Sequence, residues 1–119
     1  MFNQSSKLRF IALDEKTQKE IYYYMPKDKI IKRLNDFFSA FSDSTRLKII
    51  ICLSVSELCV NDLSNLLRLN QTTISHQLKI LKDNGTVTAR RDGKIIYYSI
   101  TDNLVNECML NGISFIKNF

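Results

Sequence analysis

The stretch Val60–Lys82, VNDLSNLLRLNQTTISHQLKILK, is the most restrictive part of this chain. Val60, Leu63, Leu66 and Leu67 recur at helical spacing. Leu69-Asn70 interrupts that stripe, and Asn70 is a residue type that caps a new helix. Ile74, Leu78 and Leu81 then repeat at i, i+4, i+7. At about 100° per residue, Thr72, His76 and Lys79 fall on the opposite face, with Thr73 and Ser75 flanking them. No carboxylate joins that face before Asp83. Two short helices about a tight turn, the second polar to basic on its outer side, have the layout of a unit that lays a helix into the DNA major groove. An ordinary packed pair with a solvated face has the same spacing, and the neighbouring residues separate the two readings.

Asn84-Gly85 closes the second helix, Gly suiting a left-handed position past its end. Two β-prone runs follow, Thr86–Arg91 and Lys94–Ile100, set about Asp92-Gly93. That pattern predicts a hairpin turning at Asp92-Gly93, with Arg90, Arg91 and Lys94 at its tip. A hairpin directly after a helix–turn–helix is a wing, and a basic tip suits sugar–phosphate or the minor groove. Charge supports this. The chain carries a net +5, and Arg68–Lys94 alone holds six cations and two carboxylates, so it accounts for +4 of it. Basic charge gathered on one structural unit is an electrostatic footprint for phosphate.

Upstream, Asp14–Met25 is expected to be helical with Asp14 as its cap, and Pro26 ends it. Tyr22, Tyr23 and Tyr24 point in three directions from such a helix, so at least one is expected to be covered by a contact. Before it, Leu8, Phe10, Ile11 and Leu13 fit a short strand or an arm. Asp28–Phe41 is a further helix whose stripe of Ile30, Ile31, Leu34, Phe37, Phe38 and Phe41 is too broad for one core face. Ser42-Asp43-Ser44 caps a helix from Thr45 to about Leu53 that is expected to bury Leu47, Ile50 and Ile51, and Ser54–Leu58 reads as a connection. Asp102 or Asn103 caps the last helix, with Val105, Cys108, Met109, Gly112, Ile113 and Ile116 on its apolar face. Few charges accompany them, and Phe115 and Phe119 add to an expectation that a partner covers this helix.

With 119 residues, 45% hydrophobic, one Pro and three Gly, the chain suits one modest core: an arm or helix over 1–27 and a domain over 28–119. No apolar run approaches the roughly 18 residues of a membrane span. The first residues lack a cationic start and a small-residue cleavage site, so a cytoplasmic place is expected. Cys52, Cys59 and Cys108 make an odd count with no disulfide spacing, as in a reducing compartment.

Taken together, Asp43-Ser-Thr-Arg-Leu47, Glu57-Leu-Cys-Val-Asn-Asp-Leu63, Gln71-Thr-Thr-Ile-Ser-His-Gln-Leu78 and Arg90-Arg-Asp-Gly-Lys-Ile-Ile-Tyr-Tyr-Ser99 resemble the ArsR/SmtB family of repressors. The resemblance runs from about Ile30 to Ile116. It implies a mainly α fold of five or six helices with a β-hairpin wing, a winged helix-turn-helix. It implies a homodimer joined through its first and last helices, bound to imperfect palindromic operators and released by an inducer, often a metal ion or arsenite.

The inducer sites of such relatives are incomplete here. One family site takes two thiolates from a Glu-Leu-Cys-Val-Cys-Asp-Leu motif and more from elsewhere. In this chain Cys59 fills the first place, Asn61 the second, and residues 1–27 contain neither Cys nor His. Cys59 and Asp62 remain as candidate ligands, with oxygen from Asp14, Glu15 or Asp28 conceivable, a poor set for zinc. A second family site on the last helix has Asp102 in its first place but Leu104, Phe115 and Asn118 in the others. Zinc is therefore not expected to release the protein from DNA. Redox relatives pair a Cys on the second family helix with one near the end of the last. Cys52 and Cys108 sit on those helices, but the first is a residue displaced and the second lies early, so inert thiols are the expectation, and a thiol- or soft-metal-responsive repressor using Cys52, Cys59 or Cys108 is the alternative.

Thr72, Thr73, Ser75, His76, Gln77 and Lys79 are thus the candidate major-groove contacts. Gln71 and the helix N-terminus suit phosphate, and Arg90, Arg91 and Lys94 the flanking backbone. No cofactor is expected. A thiol enzyme would lack a spare His, because the chain's one His, His76, lies on the reading face. A winged-helix interaction module that reads no DNA is the alternative of another class.

Overall fold

Side chains start four of the helices by accepting a backbone N–H from the first turn: Asp14 from Thr17, Asp43 from Arg46, Asn70 from Thr73 and Asp102 from Leu104. These caps punctuate a computed structural model that describes residues 12–118. Its elements are α1 (Glu15–Tyr24), α2 (Asp28–Ser39), α3 (Ser44–Val55), β1 (Leu58–Cys59), α4 (Val60–Leu67), α5 (Gln71–Asp83), β2 (Val87–Asp92), β3 (Ile95–Ile100) and α6 (Asn103–Lys117). The run of apolar residues from Leu8 to Ile11 lies outside the described residues.

The chain divides into two compact units between Ile31 and Lys32, inside the first turns of α2. In the first unit, α1 buries no residue, and Tyr22, Tyr23 and Tyr24 are all exposed.

In the second unit, Ile49, Ile50 and Leu53 of α3 pack with Leu63 of α4, with Ile74, Leu78 and Leu81 of α5, with Val87 of β2 and with Val105 and Met109 of α6. Phe37 of α2, and Phe41 just beyond it, lean on this core, while Phe38 stays exposed. The helix expected to reach Phe41 ends at Ser39, where Ala40, Phe41 and Ser42 turn back on i−3 carbonyls. Two burial expectations are corrected. On α3, Ile51 is 44% exposed and Leu47 only half-buried, the buried phase falling on Ile49, Ile50 and Leu53. On α4, Leu66 is 62% exposed and Leu63 carries the burial.

The sheet has three antiparallel strands in the order β1-β3-β2. Arg90 of β2 faces Tyr97 of β3, which faces Cys59 of β1 on its other side. The segment Ser54–Leu58, expected as a plain connection, instead finishes α3 and opens β1. The hairpin turn is also displaced by a residue. Asp92 pairs with Ile95, leaving Gly93-Lys94 as the loop. Gly93 has φ 63°, while Lys94 is not among the positive-φ residues. A positive φ at only the first of two loop residues is the demand of a type II′ turn, which matches the strands' twist.

Candidate nucleic-acid interface

The turn between α4 and α5 is held from inside. Arg68 ends α4 in the left-handed conformation, φ 56°. Ser64 then grips Leu69 twice: its carbonyl accepts the Leu69 N–H at 3.2 Å, and its hydroxyl donates to the Leu69 carbonyl at 2.5 Å. Leu69 packs against the core, and Asn70 starts α5. At its far end, Gly85 (φ 81°) donates to Lys82 O and Thr86 to Leu81 O. That paired closure is a Schellman motif.

Between these closures, Ile74, Leu78 and Leu81 are fully buried, and Gln71, Thr72, Ser75, His76 and Lys79 are exposed, with Thr73 half-buried. Gln71 Nε2 donates to Asn61 Oδ1 at 3.1 Å, tying the start of α5 to α4. Lys79 pairs with Asp83 one turn on, at 3.3 Å in open solvent. Gln77 is different. It sits half-buried on the flank nearer the core, and its Oε1 accepts from Arg46 Nη1 at 3.0 Å. A guanidinium has no acceptor, so this contact fixes the amide with its oxygen inward. Arg46 Nη2 donates to Ser39 O at 3.1 Å, and its buried Nε has no hydrogen-bond partner among the described residues.

The wing separates its cations by face, because successive residues of a strand alternate. Arg91 pairs in register with Ile96 and Arg90 with Tyr97, so the two arginines leave opposite sides of the sheet. Arg90 is engaged: Nε and Nη2 donate to the two carboxylate oxygens of Glu57 at 2.8 and 2.6 Å, and its guanidinium lies 4.8 Å from the Tyr97 ring centre. Those hydrogen bonds hold the Glu57 carboxyl below the usual carboxylate range. Neither Arg91 nor Lys94 forms an ion pair with a described residue.

An open groove of about 590 Å³ runs between the start of α4, Ser75 and β3, with Cys59, Asp62, Lys94 and Tyr97 in its lining. Inside it, Asp62 Oδ2 accepts from the Cys59 backbone N–H at 3.3 Å and from its thiol at 3.2 Å. The two candidate ligands thus form a capping box on α4. No group of three His, Cys, Asp or Glu side chains able to hold a metal occurs among the described residues. One thiol and one carboxylate already bonded to each other do not fit a tetrahedral zinc centre. Cys52, Cys59 and Cys108 are free and half-buried, and burial pushes the Cys52 thiol up, away from the reactive thiolate.

Residues 43–89, from the cap of α3 into β2, match the family model described as "Bacterial regulatory protein, arsR family". A cadmium resistance transcriptional regulatory protein CadC homolog of Staphylococcus aureus is 36% identical over 71% of this chain and 79% of its own length. The chain belongs to the ArsR family. A transcriptional repressor SmtB homolog of Synechocystis is 40% identical, over 62% of this chain but only 56% of its own length. Among solved structures, the homodimeric winged helix-turn-helix domain of Mb0332 from Mycobacterium bovis superposes with a TM-score of 0.71 at 26% identity, over 79% of this chain and 90% of that one.

This ArsR-family chain is therefore a winged helix-turn-helix, DNA-binding transcriptional regulator. No described helix is long and apolar enough to cross a membrane. Of the residues singled out in sequence, α5 gathers Gln71, Thr72, Ser75, His76 and Lys79 at its surface and turns Gln77 toward α3, while the hairpin carries Arg90, Arg91 and Lys94. Sequence reading passed over three residues of this region. Ser64 and Asn61 brace α5, and Glu57 engages Arg90. Only the Glu57 and Arg90 charges were a usable signal, and their 33-residue separation hid it.

Proposed function

We propose that this ArsR-family regulator is a repressor that binds an imperfect palindromic operator as a homodimer. Residues 28–119 form its DNA-binding and dimerisation domain, and it acts in the cytoplasm. Thr72, Thr73, Ser75, His76 and Lys79 read the major groove, Gln71 and the start of α5 meet phosphate, and the wing's Arg91 and Lys94 hold the flanking backbone, while Gln77 is held by Arg46 and Arg90 by Glu57. One observation carries the reading: α5 is closed at both ends and fully buried along its inner stripe, yet shows an outer face free of carboxylates until Asp83. Such a rigid polar face beside Arg91 and Lys94, which pair with no described carboxylate, suits base edges flanked by phosphates.

The dimer rests on α6, where Leu104, Leu110, Phe115 and Ile116 are exposed in the single chain, and on Leu34 and Phe38 of α2. A homodimeric relative of the same fold adds support. Duplexes selected from a randomised pool test the reading. The selected site should be a two-fold repeat with half-sites about one helical turn apart, bound by a species that sediments as a dimer. Failure to enrich any sequence over competitor DNA would favour a protein-interaction module instead.

A further inference from the structure

Arg90 and Arg91 are neighbours in sequence with different electrostatic standing. Arg91 makes no ion pair with a described residue, whereas both oxygens of Glu57 are filled by Arg90. Two parallel bonds between a planar fork and a carboxylate fix direction as well as distance. The Tyr97 ring beneath the guanidinium restricts it further. The contact spans the whole sheet: Arg90 leaves β2, crosses Tyr97 of the central β3 and ends at Glu57, the residue before β1. β1 in turn runs directly into α4, the first helix of the reading unit.

We propose that Glu57 is a positioning residue for the wing: it withdraws Arg90 from phosphate binding and uses it to set the wing's pitch against β1, leaving Arg91 and Lys94 as the charges that displace counter-ions from DNA. The inference rests on the DNA-binding function and sharpens which wing charges serve it. Counter-ion release follows the net charge brought to the phosphates, and a closed Arg–Glu pair brings none. The pair lies in solvent, with more than half of the Arg90 side chain accessible, so its stability contribution is small and its role is geometric.

The test is the salt dependence of the full chain on its selected duplex and on a scrambled one, read by fluorescence anisotropy. Arg91→Gln and Lys94→Gln should each flatten the slope of log K against log salt by about 0.9 per copy of the chain. The paired variant Glu57→Gln with Arg90→Gln, which removes both charges, should leave the slope unchanged and instead lower the ratio of specific to scrambled affinity several-fold. Glu57→Gln, which keeps the side-chain shape, should steepen the slope by up to about 0.9 per copy and tighten scrambled DNA. Circular dichroism confirms that each variant is folded. Flattening by the paired variant equal to that of Arg91→Gln would overturn the proposal, and so would a paired variant unchanged in both slope and ratio. Absence of salt-dependent binding by the unmodified chain would strike the DNA-binding function itself, a separate result.

Discussion

Helices α5 and α6 differ in apolar content, four of thirteen residues against eight of fifteen, and in what covers it. On α5 the inner stripe of Ile74, Leu78 and Leu81 is entirely covered by the chain's own core. On α6 Val105 and Met109 are buried and Ile113 leans on the core, but Leu104, Leu110 and Ile116 are 56–69% exposed. The first helix is finished by one chain; the second has a second apolar side that one chain of this size does not cover. A helix complete in itself can devote its outer face to a polar ligand. A helix left apolar on its outer face needs another protein surface to exclude water.

Leu78→Ala should give the largest effect that sharpens this contrast. It opens a cavity in a closed core and should cost about 2–5 kcal/mol in urea unfolding, whereas Leu110→Ala should change single-chain stability by less than about 0.5 kcal/mol. Equal losses at high dilution would break the distinction. Leu110→Asp with Ile116→Asp comes next. Charges on the exposed side of α6 should weaken self-association at least about tenfold, roughly 1.4 kcal/mol, and leave the helical spectrum intact. Sedimentation over a concentration series reads this directly, and an unchanged dimer would show that α6 is not its interface.

On α5, His76→Ala should lower affinity for the selected site by about 1–3 kcal/mol, with little change on scrambled DNA. A uniform loss on both duplexes would remove His76 from base reading. The smallest change is Arg68→Gly. Arg68 adopts a conformation that costs an L-residue roughly 1–2 kcal/mol, and Gly relieves that but gains freedom in the unfolded chain. A net gain of under about 1 kcal/mol in unfolding free energy is expected, and a loss would mean that the Arg68 side chain contributes packing.

The sequence made α5 legible because three of its four apolar residues obey a single period and, Ile80 aside, polar residues fill the other phases. α3 was harder for the opposite reason. Leu47-Lys48-Ile49-Ile50-Ile51-Cys52-Leu53 is apolar at all but one place, so spacing could not tell that Ile49 and Leu53 turn inward while Ile51 turns out. The wing was evident from its two β-prone runs. Its turn was not, since Asp92-Gly93 and Gly93-Lys94 both satisfy a two-residue hairpin and only the ladder register chooses. β1, two residues long, is too short for any period to announce. Glu57–Arg90 and Arg46–Gln77 depend on side chains brought together by strand order and helix packing, beyond the reach of local pattern.

The two closures of α5 have an evolutionary consequence. Asn70 at one end and the Gly85–Thr86 turn at the other secure the helix through its backbone, and the buried stripe anchors its inner side. None of these uses the outward side chains of Thr72, Ser75, His76 or Lys79. If these side chains read the operator as proposed, substitutions there alter what is recognised while sparing what keeps the helix folded. Duplicated copies of such a gene can diverge in operator preference one outward residue at a time, without passing through an unfolded ancestor.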